Sequence, residues 1–249
     1  MTSRGSARTV LVTGGAGGIG RGVAAAFAAA GDTVVIADRD EQRVAEAAGF
    51  LGVRGRVLDI TDDDSVSSAL GAVQAELGPV RVLVNNAGLL TIHGTLLDLP
   101  GTDLDTILRT NVVGTFRMTQ QVARRMVDAG TGGAIVNISS IGGRQPTPGM
   151  GGYESSKAAV DALTRWAAIE LAGHDIRVNA VAPGPVLTEM MAVGMPEGSP
   201  RRQAWEGRIP LGTLATVDDV AAATVFLASD AAAHVTGTSL PVDGGQLLT

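Results

Sequence analysis

The chain contains no cysteine, which excludes disulfides and thiolate metal sites and leaves no mark of an oxidising compartment. Its three histidines, His93, His174 and His234, lie far apart and none falls in a ligand pair. A catalytic zinc is therefore not expected, and surface or packing roles suit these residues better. Basic excess is missing too: 19 lysines and arginines face 25 carboxylates, a net charge of −6. With no basic patch to meet a phosphate backbone, nucleic acid is not an expected partner. No run of about 20 apolar residues is present, so no membrane span is expected. The residues ahead of Arg8 lack the apolar run of a signal peptide, and a disordered start is expected over residues 1–7. A cytoplasmic location follows as the default.

Aromatic residues are also scarce, at 3 % of the chain, and Tyr153 is the only tyrosine. It stands four residues before Lys157 in Tyr153-Glu154-Ser155-Ser156-Lys157, a spacing that puts both on one face of a helix. An ammonium within a few ångströms favours phenolate. Lys157 is thus expected to draw the phenol from its ordinary pKa near ~10 toward working pH, where acid/base catalysis is most efficient. Taken alone, a Tyr-Lys pair at this spacing also arises by chance.

What the chain has in quantity is regular alternation. At 249 residues, with no Pro/Ser-rich linker, repeat or low-complexity tract, it is expected to form one domain over residues 8–249. Short β-rich apolar runs alternate with longer Ala/Leu/Val segments of helical period, the signature of βαβ units in an α/β fold. Seven strands are predicted, at 9–13, 33–37, 56–59, 82–85, 134–139, 177–182 and 239–242. Helices are predicted at 18–30, 40–49, 62–77, 101–129, 154–172 and 217–229. Continuously hydrophobic strands fit a parallel sheet covered on both faces. Asp62, Asp63 and Asp64 follow Thr61 and read as the cap and first turn of a helix. The stretch 188–210 is broken by Gly and Pro and carries Met190, Met191, Met195 and Trp205. It is expected to stay out of the core and to act as a mobile apolar lid.

The first strand runs straight into Thr13-Gly14-Gly15-Ala16-Gly17-Gly18-Ile19-Gly20 and an Ala-rich helix. Strand, glycine turn and helix in this order lay a pyrophosphate on helix N-terminal amides. Two registers overlap: Gly15, Gly17 and Gly20 satisfy GxGxxG, whereas Gly14, Gly18 and Gly20 satisfy TGxxxGIG. Asp38 ends the second strand 18 residues after Gly20, where a carboxylate bonds the adenosine ribose hydroxyls. That predicts NAD over NADP, because a 2′-phosphate would meet a like charge. Arg39 complicates the reading, since a neighbouring guanidinium could pair with that phosphate.

In these residues the chain resembles the classical short-chain dehydrogenases/reductases, over essentially its whole length. The resemblance rests on Thr13 to Gly20, Asp59, Asn85-Asn86-Ala87-Gly88, Asn111, Ser139-Ser140, Tyr153 to Lys157, Pro183-Gly184 and Val242-Asp243-Gly244-Gly245. It implies a single-domain Rossmann fold with a doubly wound, seven-stranded parallel sheet and helices on both faces. It also implies hydride transfer between a nicotinamide cofactor and a secondary alcohol or ketone. Gly14, Gly17, Gly18, Ile19 and Gly20 would cradle the cofactor, with Asp38 and Arg39 at its adenosine end. Asp59 and Ile60 would flank the adenine, and Asn86, Ala87 and Gly88 would run beside the cofactor. Pro183, Gly184, Val186 and Thr188 match the segment that holds the nicotinamide carboxamide and phosphates.

The catalytic set implied by the resemblance is Asn111, Ser140, Tyr153 and Lys157. Tyr153 would be the acid/base, and Ser140, thirteen residues before it, would donate to the substrate oxygen, with Ser139 as a structural neighbour. Lys157 would lower the Tyr153 pKa and bond the nicotinamide ribose, and Asn111 would anchor a relay water. A homotetramer is implied as well, with Ala158, Ala159, Ala162, Trp166 and Ala167 available for packing against a partner. The substrate pocket, with His93 on the loop after Gly88, reads as mostly apolar with few charges. One alternative is an NADPH-dependent 3-oxoacyl thioester reductase acting on acyl carrier. His174 stands where such reductases tend to place a basic residue, although Arg124 and Arg125 could serve instead. Thr213, where many relatives have arginine, is a further departure. A non-catalytic dinucleotide-sensing regulator is a more distant alternative, because such proteins lose the tyrosine or lysine kept here.

Overall fold

Alternate residues of the first strand enter two different cores, and this sets the layering. In β1 (Thr9–Thr13), Val10 and Val12 pack on one side of the sheet and Leu11 on the other, as a pleated strand buried on both faces requires. The computed structural model describes residues 7–249, apart from the Met190 side chain. Of the start expected over residues 1–7, all but Ala7 lies outside the described residues.

β1 is joined by β2 (Thr33–Asp38), β3 (Arg54–Val57), β4 (Val82–Asn85), β5 (Gly133–Ile138), β6 (Ile176–Pro183) and β9 (Ser239–Val242). The strand order is β3-β2-β1-β4-β5-β6-β9, and every neighbouring pair is parallel. The chain therefore winds outward from β1 in both directions. α1 (Gly18–Ala29), α2 (Glu41–Leu51) and α9 (Val217–Ala228) cover one face through residues such as Phe27, Val44 and Leu227. α3 (Asp63–Leu77), α5 (Thr115–Asp128) and α6 (Gly151–Leu171) cover the other through Leu70, Met118, Met126 and Ala168. A fully buried side chain such as Phe27 stabilises the fold by roughly 1.5–3 kcal/mol.

Four expectations need correction. β3 occupies 54–57 instead of 56–59: Val35 pairs with Arg54 and Asp38 with Val57, so Leu58 is the first residue past the strand and turns into the core. The helix expected over 101–129 is broken: α4 (Gly101–Leu108) passes into a π-helical turn at Arg109–Gly114 before α5 begins. α6 starts at Gly151, not 154, because Gly152 lets the helix sit against Ile107 and Leu99, which a Cβ there would meet at 3.0 and 3.1 Å. The stretch 188–210 is more ordered than expected. It holds α7 (Glu189–Gly194) and α8 (Pro200–Glu206), each with a side-chain cap, from Thr188 and Ser199. Two short strands, β7 (Val186–Leu187) and β8 (Ala215–Thr216), pair across its base. Met195 and Ile209 are each only 4 % exposed, so part of the segment is core.

Candidate active site

The anion cradle begins with a helix that lacks a cap. α2, α3 and α9 have Asp40, Asp62 and Thr216 accepting from their first-turn amides, whereas α1 opens at Gly17 with no side-chain cap. Its free N–H groups and dipole suit a bound phosphate. The turn ahead of it is sterically committed to glycine. Gly14 has φ +61°, and a Cβ there would lie 2.8 Å from Ala87 Cα; a Cβ at Gly20 would run into the Gly14 carbonyl. Gly15 is committed as well, since a Cβ there would meet Ile36 and the Val12 carbonyl at 2.8 and 2.9 Å, so the turn requires glycines of both registers.

The same turn is locked to the end of β4. Asn86 Nδ2 donates to the Thr13 and Gly14 carbonyls at 3.1 and 2.9 Å, and Thr13 Oγ1 accepts from the Asn86 and Ala87 amides at 3.1 and 3.2 Å. This is the point where β1 lies between β2 and β4, the topological switch at which open α/β sheets bind ligands. Two cavities adjoin there, of about 1030 and 310 Å³, and share Gly17, Asn86 and Gly88 in their walls. Together they form one cleft long enough to hold an extended ligand.

The larger cavity is lined by Gly18, Ile19, Ser140, Tyr153, Lys157, Pro183, Gly184, Val186 and Thr188 among the residues singled out from sequence. Gly14, Asp38, Arg39, Asp59, Ile60 and Ala87 line the smaller one. Gly20 and Asn111 line neither and act from behind. Asn111, 1 % exposed, accepts from Leu89 N at 2.7 Å and donates to Leu89 O at 3.0 Å and Ser156 Oγ at 2.9 Å. Its side chain thus clamps the loop after β4 to α6.

In the smaller cavity, Asp38 Oδ1 accepts from the Arg39 amide at 2.8 Å. Burial alone would raise the Asp59 carboxyl, but hydrogen bonds from the Thr61 amide and hydroxyl, with Arg39 and Arg109 nearby, bring it below the ordinary value. Asp59 is thereby a rigid, ionised wall. Five residues here were not anticipated: Arg43, Leu58, Thr61, Leu89 and Thr110. Arg43, in the first turn of α2, extends its guanidinium over Gly17, where a Cβ would meet it at 2.5 Å. Its place five residues after Asp38 was the available signal.

At the other end, Tyr153 is carried in the first turn of α6 and Lys157 one turn later. Lys157 Nζ donates to Ile138 O at 2.7 Å and sits 5.7 Å from the Tyr153 ring centre. Burial pulls the Lys157 pKa down to about 8, with Asp161 opposing. Burial also pushes the Tyr153 phenol up; Ser140 acts to lower it and Glu154 to raise it. The expected depression of the phenol by Lys157 is not what the structure shows. An ammonium itself destabilised by burial and directed at a carbonyl does not offset the desolvation of the phenol. Ser140 Oγ accepts from Gly142 N at 3.0 Å and faces the cleft, whereas Ser139 Oγ donates to Lys157 O at 3.2 Å inside the core. Both serines contribute to the wall of the larger cavity, but only the Ser139 hydroxyl is tied to the backbone of α6.

The sequence profile of the family described as enoyl-(acyl carrier protein) reductase matches residues 14–246. L-rhamnose 1-dehydrogenase (NAD(P)(+)) of Azotobacter vinelandii is 40% identical over 251 residues, covering 96% of each chain. The 3-oxoacyl-(acyl-carrier-protein) reductase FabG of Thermotoga maritima is 39% identical over 246 residues, covering 97% of this chain and 98% of the relative. A solved short-chain type dehydrogenase/reductase from Mycobacterium ulcerans superposes with a TM-score of 0.92 at 37% identity, over 97% of this chain and 90% of that one. The chain belongs to the short-chain dehydrogenase/reductase family.

As a short-chain dehydrogenase/reductase it is an oxidoreductase that works with a nicotinamide dinucleotide. The uncapped α1, the side-chain-free turn and the continuous cleft fit that group. Elsewhere the cleft of this short-chain dehydrogenase/reductase departs from expectation. His93 is not part of its wall, and charged groups are more numerous than foreseen, with Arg21, Arg43, Glu46, Glu154 and Glu189 along it. Among the described residues no group of three or more His, Cys, Asp or Glu side chains could hold a metal ion, and no helix is long and apolar enough to cross a membrane.

Proposed function

We propose that the chain transfers hydride between NAD(H) and a secondary alcohol or ketone, with Tyr153 as the general acid/base. The observation that carries this reading is the convergence of Ser140, Tyr153 and Lys157 on the wall of a cleft that continues to the glycine turn. When bound, the nicotinamide supplies or accepts the hydride. Ser140 donates a hydrogen bond to the substrate oxygen and stabilises the charge that develops there. Tyr153 gives its phenolic proton to that oxygen in reduction and, as phenolate, removes the hydroxyl proton in oxidation. Lys157 donates to Ile138 O and would also hold the nicotinamide ribose. Asn111 fixes the loop after β4 and supports the relay of protons from Lys157 to solvent. Burial keeps the phenol protonated at neutral pH, the form reduction needs, so oxidation should accelerate as pH rises.

NAD is preferred in this reading because Asp38 stands at the ribose end of the cleft; Arg39 and Arg43 are the counter-charges that would favour a 2′-phosphate. Measuring kcat/KM with NAD and NADP in parallel, over alcohols and ketones that include a 3-oxoacyl thioester, tests the reading. An NAD preference supports it and a clear NADP preference overturns the Asp38 argument. The thioester arm addresses the second reading, an acyl carrier reductase, which the Thermotoga maritima relative favours.

The assembly that goes with this reading is a homotetramer built on α5 and α6. Support comes from the outward face of α6, where Trp166, 49 % exposed, stacks on Phe116 of α5 with ring centres 5.8 Å apart, beside Ile169 at 81 %. An aromatic pair on an apolar face suits burial against a second copy.

A further inference from the structure

The helix that carries Tyr153 also carries a buried carboxylate for which the hydride chemistry has no use. Glu154 is only 6 % exposed and stands in the wall of the larger cavity. Among the described residues it takes part in no salt bridge, so no ion pair offsets the loss of water around it. What it holds instead is a single amide: Oε1 and Oε2 both accept from Thr147 N, at 2.8 and 3.0 Å.

Thr147 lies in Pro146-Thr147-Pro148. Proline has no N–H, so the Thr147 amide is the one backbone donor of these three residues, and Glu154 takes it. The bond ties the segment between Ser140 and α6 to the helix itself. Gln145, Thr147 and Met150 of that segment line the cavity together with Tyr153. The carboxylate is also close to the reacting groups. A Cβ at Gly142 would come within 3.3 Å of Ser140 Oγ and 3.4 Å of Glu154 Oε1, and with glycine there no side chain fills the space between them.

We infer that Glu154 is a positioning residue for the reaction: its carboxylate holds the cavity wall formed by Gln145, Thr147 and Met150 against α6 and places a negative charge at the reacting end of the cleft. This rests on the dehydrogenase reading above and adds a residue to it. Two separable effects follow. The hydrogen bond fixes the wall that a substrate meets, so its loss raises KM. The charge acts on Tyr153, whose phenol is pushed up mainly by burial and further by Glu154, with Ser140 opposing; without that charge, phenolate forms at lower pH. Other charged groups surround the pair. Lys157 Nζ lies 5.7 Å from the Tyr153 ring centre, and Asp161, one turn on, accepts from Ser239 Oγ at 2.9 Å and faces Arg144 at 3.6 Å. Arg21 of α1 and Glu189 of α7 stand elsewhere in the cavity wall, and α4 meets this end of α6 through Ile107 and Leu104. All of these are common to the variants below, so a moved pH profile reports on Glu154.

The test measures kcat and KM from about pH 6 to 10 for the alcohol and ketone that the wild type turns over best, with NADH affinity titrated alongside. Glu154→Gln keeps an oxygen for Thr147 N and removes the charge. Its KM should stay within about threefold, while the rise of oxidative kcat/KM with pH moves to lower pH. Glu154→Ala removes both, and should show the same move with substrate KM raised about tenfold, the worth of a charge-assisted hydrogen bond. Glu154→Asp keeps the charge on a shorter stem, and should raise KM with the wild-type pH profile. If the glutamine protein does not fold, the contrast between Ala and Asp carries the test. A wild-type pH profile in the uncharged variants, or a wild-type KM in Glu154→Ala, overturns the inference and leaves the dehydrogenase reading intact. Absence of turnover by the wild type on any alcohol or ketone contradicts that reading itself.

Discussion

Lys157 is the only lysine of the chain and Tyr153 the only tyrosine, and burial shifts both toward their neutral forms. For Lys157 the folded pKa of about 8 lies below the ordinary 10.5. The unfolded chain therefore binds more protons between these values, and stability rises with pH across that window. Below pH 8 keeping the ammonium buried costs on the order of 3 kcal/mol, its bond to Ile138 O included. Lys157→Met is thus expected to be more stable than the wild type at pH 7, with an advantage that shrinks as pH climbs from 8 to 10.5, while activity is lost. Urea denaturation of both proteins across that range checks this; a Lys157→Met protein less stable by the same margin at every pH contradicts it. Tyr153 works in the opposite sense above pH 10, since its raised pKa favours the folded state at lower pH, but it is common to both proteins and cancels. The Tyr-Lys pairing is legible from spacing alone. Its electrostatics are not, because desolvation depends on the loops and β5 that close over the pair, which no local pattern specifies. Glu154 and Arg43 escape a reading of the sequence for a similar reason, as each gains meaning only from the cavity beside it.

At the level of elements, the glycine turn between β1 and α1 is legible in the sequence because its constraint is local. A Cβ at Gly20 would strike the backbone at Gly14 and the amide of Asn86, neither of which is a flexible end. Gly20→Ala is expected to destabilise the fold by about 1–3 kcal/mol and to weaken cofactor binding at least about tenfold, read by a thermal melt and an NADH titration. Unchanged affinity would show that the turn does not cradle the cofactor. β1, β4 and β9 have the boundaries expected of apolar runs cut off by glycine or turn residues. The start of α6 is hidden because Gly151-Gly152 is poor in helix propensity, whereas packing of Gly152 on Ile107 and Leu99 carries the helix back through Tyr153. The π-helical turn at Arg109–Gly114 follows no sequence period either; it coincides with the bonds Asn111 makes to Leu89 and Ser156.

The whole molecule adds what neither residues nor elements contain. Sheet order places the end of β1 between β2 and β4, and that adjacency brings Asp38, the glycine turn, Asn86 and, through β5 and α6, Ser140 and Tyr153 around one cleft. Alternation of strands and helices announces a parallel sheet, but the gathering of its C-terminal ends into one site depends on this winding. In the proposed homotetramer, the Trp166 and Phe116 face would carry the contact between copies. If the wild type is the proposed tetramer by light scattering, Trp166→Arg is expected to give smaller species; a monomeric wild type, or an unaltered mass in the variant, contradicts the α5/α6 interface. The central claim, hydride transfer with Tyr153 as acid/base, is tested most directly by measuring NAD reduction on an alcohol panel by the wild type and Tyr153→Phe together, with NADH affinity titrated on both. The account predicts a fall in turnover of about 10²–10⁴-fold with affinity nearly unchanged; near-normal turnover by Tyr153→Phe would contradict it.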